Sequence, residues 1–293
     1  MAEVSGFLNI NKPSGMTSHD VVAKLRRGLR IKKIGHAGTL DPMATGVLVI
    51  CIGQATRLSE YVMQSVKCYR ARIRLGIVTD TYDLTGAVLQ EKEASHIQRS
   101  QVEQALSSYT GDINQIPPMY SAIKQGGRKL YELARAGQIV ERAARAVHIE
   151  SITAVEWALP EVTVDVVCSA GTYIRSLAYD IGEKLGVGAH LSALTRMSSG
   201  VFHVAEAISP DSVLLMEDWS TQLVMPSKAL QDKPAISLNS EELEHIIHGR
   251  PITAHNRQSD LVFSYRFDGK LIAILQYDSG LWRPHKVFSD DSL

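Results

Sequence analysis

Cysteine is scarce in this chain of 293 residues: only Cys51, Cys68 and Cys168 occur. They are odd in number, widely spaced and set in apolar or strand-like runs. No CxxC pair exists, which excludes a zinc ribbon and a thioredoxin-like motif and points to free thiols in a reducing compartment. Long hydrophobic runs are missing as well. The longest, Val47–Ile52, falls far short of the ~20 residues that cross a bilayer. Met1 to Asn11 carries Glu3 and no extended apolar stretch, so no secretory signal is expected. There is no internal repeat or low-complexity segment. HExxH, Walker A, GxGxxG and GxSxG patterns are all absent. Excess charge of one sign is lacking too, with 31 Lys and Arg against 31 Asp and Glu. What is present, 45% hydrophobic and 21% charged residues, suffices for a buried core. At roughly 100–200 residues per domain, about two domains are expected in a soluble, cytosolic protein.

The zero net charge is an average. Residues 1–150 hold 20 basic and 13 acidic side chains, a net +7, and residues 151–293 hold 11 and 18, a net −7. The positive half has a definite pattern. Gly6–Ile10 reads as a strand, followed by the turn Asn11-Lys12-Pro13-Ser14-Gly15. Thr17 or Ser18 is placed to cap a helix with Val21, Val22, Leu25 and Leu29 on one stripe. Its other face carries Lys24, Arg26, Arg27 and Arg30, with Lys32 and Lys33 just beyond. Arg57–Met63 looks helical. Tyr69–Leu75 alternates, setting Arg70, Arg72 and Arg74 on one face. Glu161–Cys168 alternates too, and the stripe Tyr173, Leu177, Ile181, Leu185 predicts a helix ended by Gly186. Periodicity weakens between Ser209 and Ala235, which sets the expected boundary between domains 1–230 and 235–293. The second of these holds a short acidic helix, Glu241–His248, and two strands around the hairpin signal Asp268-Gly269. An α+β body with a small β-rich C-terminal module follows.

Among residues able to do chemistry, Ser18-His19-Asp20 is contiguous at a helix start and cannot form a triad. His245 and His248 lack a third ligand and read as exposed helix histidines. The densest feature is the loop Gly35-His36-Ala37-Gly38-Thr39-Leu40-Asp41-Pro42-Met43-Ala44-Thr45-Gly46. Pro42 disfavours the helical region for Asp41 and presents its carboxylate from an extended backbone, while the glycines allow close approach of a ligand or another strand. An isolated Asp-Pro is usually only a turn. Here it follows a basic run and precedes an apolar strand, as a supported catalytic loop does. The residues by themselves reach as far as a candidate carboxylate beside a polyanion site.

That loop, through Val47-Leu48, resembles the central motif of the TruB family of tRNA pseudouridine synthases. Four further segments resemble the family in order: Asn11–Ser18; Lys67–Gly76 with Thr79-Asp80-Thr81-Tyr82-Asp83-Leu84-Thr85-Gly86; Gln115–Ala122 with Lys124, Gly127 and Lys129-Leu130-Tyr131; and Cys168–Arg175 with Leu191–Arg196. The resemblance covers about residues 6–200. It implies a pseudouridine synthase catalytic domain around a bisected mixed, mainly antiparallel sheet, with an RNA-clamping insertion at about 112–137 and a PUA-like module at 235–293. It also implies isomerisation of the uridine conventionally numbered 55 in the T loop of tRNA, without metal or other cofactor.

By this resemblance Asp41 is the essential carboxylate. It either attacks the sugar or ring or stabilises positive charge developing on the ribose, and the sequence does not choose. Arg175 is its implied ion-pair partner, otherwise an ordinary helix arginine. Tyr69 is the implied active-site tyrosine, stacking on the flipped base and open to proton transfer; its alternative is a core aromatic. Tyr173 and Leu194 match base-pocket positions, His36 the residue beside the flipped nucleotide, and Asp83 a polar site residue with an Asp-x-x-Gly turn as its alternative. Lys12, Lys124, Arg128 and Lys129 are implied substrate-binding cations. Base extrusion costs a few kcal/mol, which phosphate contacts from the helix Lys24–Arg30, the Arg70/Arg72/Arg74 face and the insertion are expected to offset. Gly126-Gly127 suggests an insertion that orders on RNA. The expected partner is the tRNA T arm, with no membrane, no obligate protein partner and a monomeric chain. A non-catalytic RNA-binding factor and an isomerase of ribosomal or guided RNA are the other readings. Asp41, Tyr69 and Arg175 argue against the first, and the lack of long basic extensions argues against the guided type.

Overall fold

The computed structural model describes residues 4–288 apart from 122, 139, 256 and 258, with the backbone alone at 124, 129 and 135. The chain divides into two compact units, one of residues 1–41, 47–63 and 200–293 and the other of residues 42–46 and 64–199. Both mix helices and strands, as the α+β reading expects. No helix among the described residues is long and apolar enough to cross a membrane.

In the first unit the strands Gly6–Lys12 and Ile34–His36 lie with residues 47–52 of the strand Thr45–Ile52. Every residue from 46 to 52 is buried, which is why this segment is a continuous apolar run and not an alternating one. The helix Ser18–Gly28 is capped by Thr17, not Ser18. Thr17 Oγ1 accepts the Asp20 amide at 3.0 Å, and the Asp20 carboxylate accepts the Thr17 amide at 2.9 Å. This capping box satisfies two amides that a helix start leaves open. Val21, Val22 and Leu25 are buried on its inner stripe. The expected helix over 57–63 is a 3-10 turn, Gly53–Leu58, running into a short α-helix, Ser59–Met63.

The C-terminal residues of this unit form a five-stranded sheet in the order Ala235–Ser237, Leu261–Tyr265, Leu271–Asp278, Leu281–Val287, Ile252–Thr253. The hairpin at Asp268-Gly269 is present, with Gly269 at φ +83°. This sheet is buried on both faces. Val262, Ile272, Leu275 and Trp282 pack with Leu238 and Ile246 of the helix Ser240–Ile247. Phe263, Leu271, Ile274 and Phe288 instead join Phe7, Val47, Val49, Cys51, Tyr61 and Phe202. Residues 235–288 therefore share a core with the N-terminal strands.

In the second unit, five strands lie side by side in the order Gly111–Gln115, Arg145–Ala158, Glu161–Cys168, Lys67–Leu75, Ala189–Ser199, each pair antiparallel. Thr45 and Gly46 pair in parallel with Thr195 and Arg196. Val162, Val164, Val166 and Cys168 all face the core, as their period of two predicts. The helix Ile174–Lys184 packs on the Ala189–Ser199 strand, and Gly186 at φ +76° follows its C-terminal cap. The insertion contains the hairpin Lys124–Gln125/Arg128–Lys129, the helix Leu130–Arg135 and a small core of Met119, Leu130 and Leu133. Gly126 and Gly127, at φ +57° and +83°, make its two-residue turn, which needs a positive φ at both positions.

Candidate active site

The residues singled out by the sequence divide between the units. Lys12, His36 and Asp41 belong to the first. Tyr69, Asp83, Arg128, Tyr173, Arg175 and Leu194 belong to the second. The side chains of Lys124 and Lys129 lie outside the described residues.

Asp41 follows a firmly held segment. The strand Ile34–His36 pairs with the 50–52 backbone, and the Ala37 amide donates to the Val49 carbonyl at 2.9 Å. Ser18 Oγ accepts the Leu40 amide at 2.8 Å and lies 3.2 Å from the Leu40 carbonyl. Leu40 is thus pinned on both backbone groups by a buried hydroxyl, and the neighbouring Asp41 is left half-buried. His36 is half-buried in the same strand. Ser18 therefore serves the loop through its hydroxyl. Its place at a helix start, opposite a glycine-rich loop, was its only signal.

Lys12 is completely buried, and its ammonium donates to the carbonyls of Pro13 at 2.9 Å and Met16 at 2.6 Å. A buried ammonium needs such acceptors, and here they fix the turn that leads into the helix Ser18–Gly28.

In the second unit Asp83 and Arg175 come together. Arg175 is 4% exposed at the start of the helix Ile174–Lys184. Its Nη1 donates to the Thr81 carbonyl at 3.2 Å, its Nη2 donates to the Tyr120 carbonyl at 2.8 Å, and Nη1 stands 3.6 Å from Asp83 Oδ2. It is not a surface helix arginine. Asp83 is also buried. Its Oδ1 accepts from Thr81 Oγ1 at 2.8 Å, the Thr85 amide at 2.9 Å and Thr85 Oγ1 at 2.6 Å. This is the turn that Asp-x-x-Gly suggests, with an ion pair added. Tyr82, between Thr81 and Asp83, sits at φ +62°, and its ring stacks on Tyr179 at 4.1 Å between centroids. A bulky residue in the left-handed region costs about 1–2 kcal/mol and persists where its surroundings hold it, as in a functional turn.

Tyr69 is half-buried on the strand Lys67–Leu75, in register with Val166 on one side and Arg196 on the other. Leu194 is buried, and its carbonyl lies 3.5 Å from Thr45 Oγ1, which also bonds Thr195 Oγ1 at 2.9 Å. Arg128 is exposed beside the glycine turn of the hairpin. The alternating arginine face is confirmed, with Ala71, Ile73 and Leu75 buried opposite, and two of its three cations have acidic partners. Arg70 is bidentate on Asp165 and Arg74 pairs with Glu161. Lys24 of the basic helix likewise pairs with Asp211 at 2.5 Å.

Two further polar residues are buried. Gln115 is 2% exposed and bonds the backbone of Tyr173 at both ends. Arg196 is 1% exposed, and its lone charge in an otherwise uncharged strand is a signal that sequence can carry. The thiols are free, as expected. Burial pushes Cys51 up to about 12 and Cys168 up to about 11, so both are unreactive neutral thiols at neutral pH.

The chain is similar in sequence and in fold to known proteins. The chain matches the family model of the TruB family pseudouridylate synthase N-terminal domain over residues 26–174. It matches that of the tRNA pseudouridylate synthase B C-terminal domain over residues 175–231. It is 48% identical over 251 residues to tRNA pseudouridine synthase B of Symbiobacterium thermophilum, covering 85% of this chain and 83% of the relative. It is 42% identical over 290 residues to the protein of the same name from Geobacter sulfurreducens, covering 95% of each. Among solved structures, a Cbf5-Nop10-Gar1 complex aligns at a TM-score of 0.77 and 27% identity, over 97% of this chain and 85% of that one. An H/ACA RNP bound to a substrate RNA containing 2'-deoxyuridine aligns at 0.75 and 25%, over 98% and 87%.

Proposed function

The chain belongs to the TruB family of pseudouridylate synthases, and from that premise we propose that it isomerises a uridine of tRNA to pseudouridine, at position 55 in the T loop. The observation that carries the reading is Arg175. A guanidinium 4% exposed, bonded to two carbonyls and beside a carboxylate, is held rigidly enough to orient an anion.

The reaction cleaves the N-glycosidic bond, turns the uracil and rejoins it through carbon. The reacting base is hidden in folded RNA, so it must leave the stack. Tyr173 and Leu194 form its pocket, and the Tyr69 ring stacks on it. Asp41 supplies the carboxylate, as a nucleophile or as a stabiliser of positive charge on the ribose, and Arg175 is the cation that the family resemblance assigns to it. His36 fills the space beside the extruded nucleotide. Asp83 holds the Arg175 side chain through the Thr81–Thr85 turn. Exposed cations of the basic helix, together with Lys124, Arg128 and Lys129, meet phosphates. Residues 1–230 are the catalytic domain and 235–293 a PUA-like module, in a monomeric cytoplasmic enzyme acting on the T arm.

The test is tritium release from tRNA transcripts labelled at uridine C5. Wild type should release tritium, and Asp41→Asn should bind tRNA without release. Turnover by Asp41→Asn would overturn the assigned role. Continued release after replacing only the T-loop uridine would overturn the assigned position.

A further inference from the structure

Among the described residues, hydrogen bonds at Ser176, Arg175 and the N-cap Tyr173 tie the insertion to the start of the helix Ile174–Lys184. Ser176 Oγ donates to the Ile116 carbonyl at 2.8 Å, and Arg175 Nη2 to the Tyr120 carbonyl at 2.8 Å. The third contact is the most specific. Gln115 Oε1 accepts the Tyr173 amide at 2.7 Å, and Gln115 Nε2 donates to the Tyr173 carbonyl at 2.9 Å.

A carboxamide can fill both roles at once, because it carries an acceptor and a donor side by side. Tyr173 is the N-cap position of its helix, and its own side chain makes no capping bond. Its backbone is therefore positioned by a side chain 58 residues away. Gln115 is suited to this. It ends the strand Gly111–Gln115, opposite Arg145, and is 2% exposed, so solvent does not compete for its bonds. Beyond Ile116, Pro117 and Pro118 are buried and fix φ. Met119 then enters the small core with Leu130 and Leu133.

We infer that Gln115 is a positioning residue for the isomerisation, fixing the Tyr173–Arg175 turn and transmitting the placement of the insertion to the base pocket. The inference rests on the proposed isomerase function, since Tyr173 matters to the reaction only if it faces the base. Gln115 does not touch substrate. Its carboxamide sets where Tyr173 stands, and a misplacement on the ångström scale is enough to slow chemistry.

The experiment compares Gln115→Met, which keeps the side-chain length and removes both bonds, with Gln115→Glu, which keeps only the acceptor for the Tyr173 amide. Ser176→Ala cuts the neighbouring tie without touching Tyr173. Single-turnover tritium release, tRNA affinity by filter binding, and thermal unfolding are measured for each. Gln115→Met should slow the single-turnover rate roughly ten- to hundredfold, with tRNA affinity changed less than about twofold. Gln115→Glu should fall between, and Ser176→Ala should stay within about threefold of wild type. If Gln115→Met does not fold, Gln115→Glu carries the same comparison. A normal rate in a folded Gln115 variant overturns the inference. So does an equal slowing in the Gln115 and Ser176 variants that follows their loss of thermal stability. Absence of release by wild type overturns the isomerase reading itself, and this role with it.

Discussion

Arg70 and Asp165 face each other across neighbouring strands, and Nε and Nη2 of the arginine each stand 2.8 Å from a carboxylate oxygen. The pair is largely exposed, so its contribution to stability is about 0.2–1 kcal/mol. Its electrostatic consequence is larger, because a positive stripe is locally neutralised. Arg70→Ala is expected to leave the salt dependence of tRNA binding nearly unchanged. Arg27 and Lys32 are exposed at the end of the basic helix and beyond it. Replacing both with Gln should weaken binding to all tRNA sequences alike and reduce the slope of log K against log salt by about 2. Filter binding over a salt series checks this, and a large slope change in Arg70→Ala refutes it.

That pair also marks a limit of reading the sequence. The alternation of Arg70, Arg72 and Arg74 was legible because a strand has period two. Their acidic partners Asp165 and Glu161 come ~90 residues later and become neighbours only through strand register. The strand Glu161–Cys168 was legible end to end because one face is buried and carries Val and Cys. The Asp41 loop was legible from its glycines and Pro42. The C-terminal sheet was harder, since strands buried on both faces lose alternation. Gln115 was invisible as a positioning group, because an amide looks the same in sequence whether it meets water or a distant backbone.

Gly46 should not tolerate a side chain. It sits at φ +94°, and a Cβ there would lie 2.3 Å from the Arg196 carbonyl oxygen, a backbone atom. Gly15, at φ +85°, has nothing within 4 Å of such a Cβ. Gly15→Ala should therefore cost only the conformational term, about 1 kcal/mol. Gly46→Ala should cost more than about 2 kcal/mol, because the parallel pairing with the Ala189–Ser199 strand must also shift. Urea unfolding of both variants measures the difference, and equal losses contradict the close approach.

Asp180 should make stability depend on pH. Burial, reinforced by Glu183 one turn on, pushes its carboxyl up to about 6, while its backbone carbonyl accepts the Tyr109 hydroxyl at 3.0 Å. An unfolded aspartate titrates near 3.9. Above pH 6 both states are ionised and the native state carries the full penalty. As pH falls from about 6 to about 4, the native state takes up the proton first, so this group's contribution becomes more favourable, and below that it is constant. Asp180→Asn should therefore stabilise the protein at pH 7.5, by about 1 kcal/mol once partial solvent screening is allowed for. The gain should shrink towards pH 4.5. Thermal melts at the two pH values test the sign, and a gain that grows on acidification contradicts it.

Removal of residues 235–293 is the sharpest test of how the first unit is built. A module attached only by a linker could be cut away without harm. Here Phe263, Leu271, Ile274 and Phe288 complete the core around Val47, Val49 and Cys51. The Tyr61 ring meets Phe263 edge to face at 5.2 Å. Arg57 donates to the Val287 carbonyl at 2.9 Å and lies over the Phe288 ring, while Lys286 donates to the Arg57 carbonyl at 3.0 Å and pairs with Glu60. Burial of large apolar side chains is worth about 1.5–3 kcal/mol each. Losing four such side chains therefore costs about 6–12 kcal/mol, comparable to the typical net stability of a domain, about 5–15 kcal/mol. The fragment 1–234 should accordingly bind a hydrophobic dye, melt without a sharp transition and aggregate at concentrations where the full chain is monodisperse. A cooperative melt near the full-length midpoint would show that residues 235–293 are dispensable to this core.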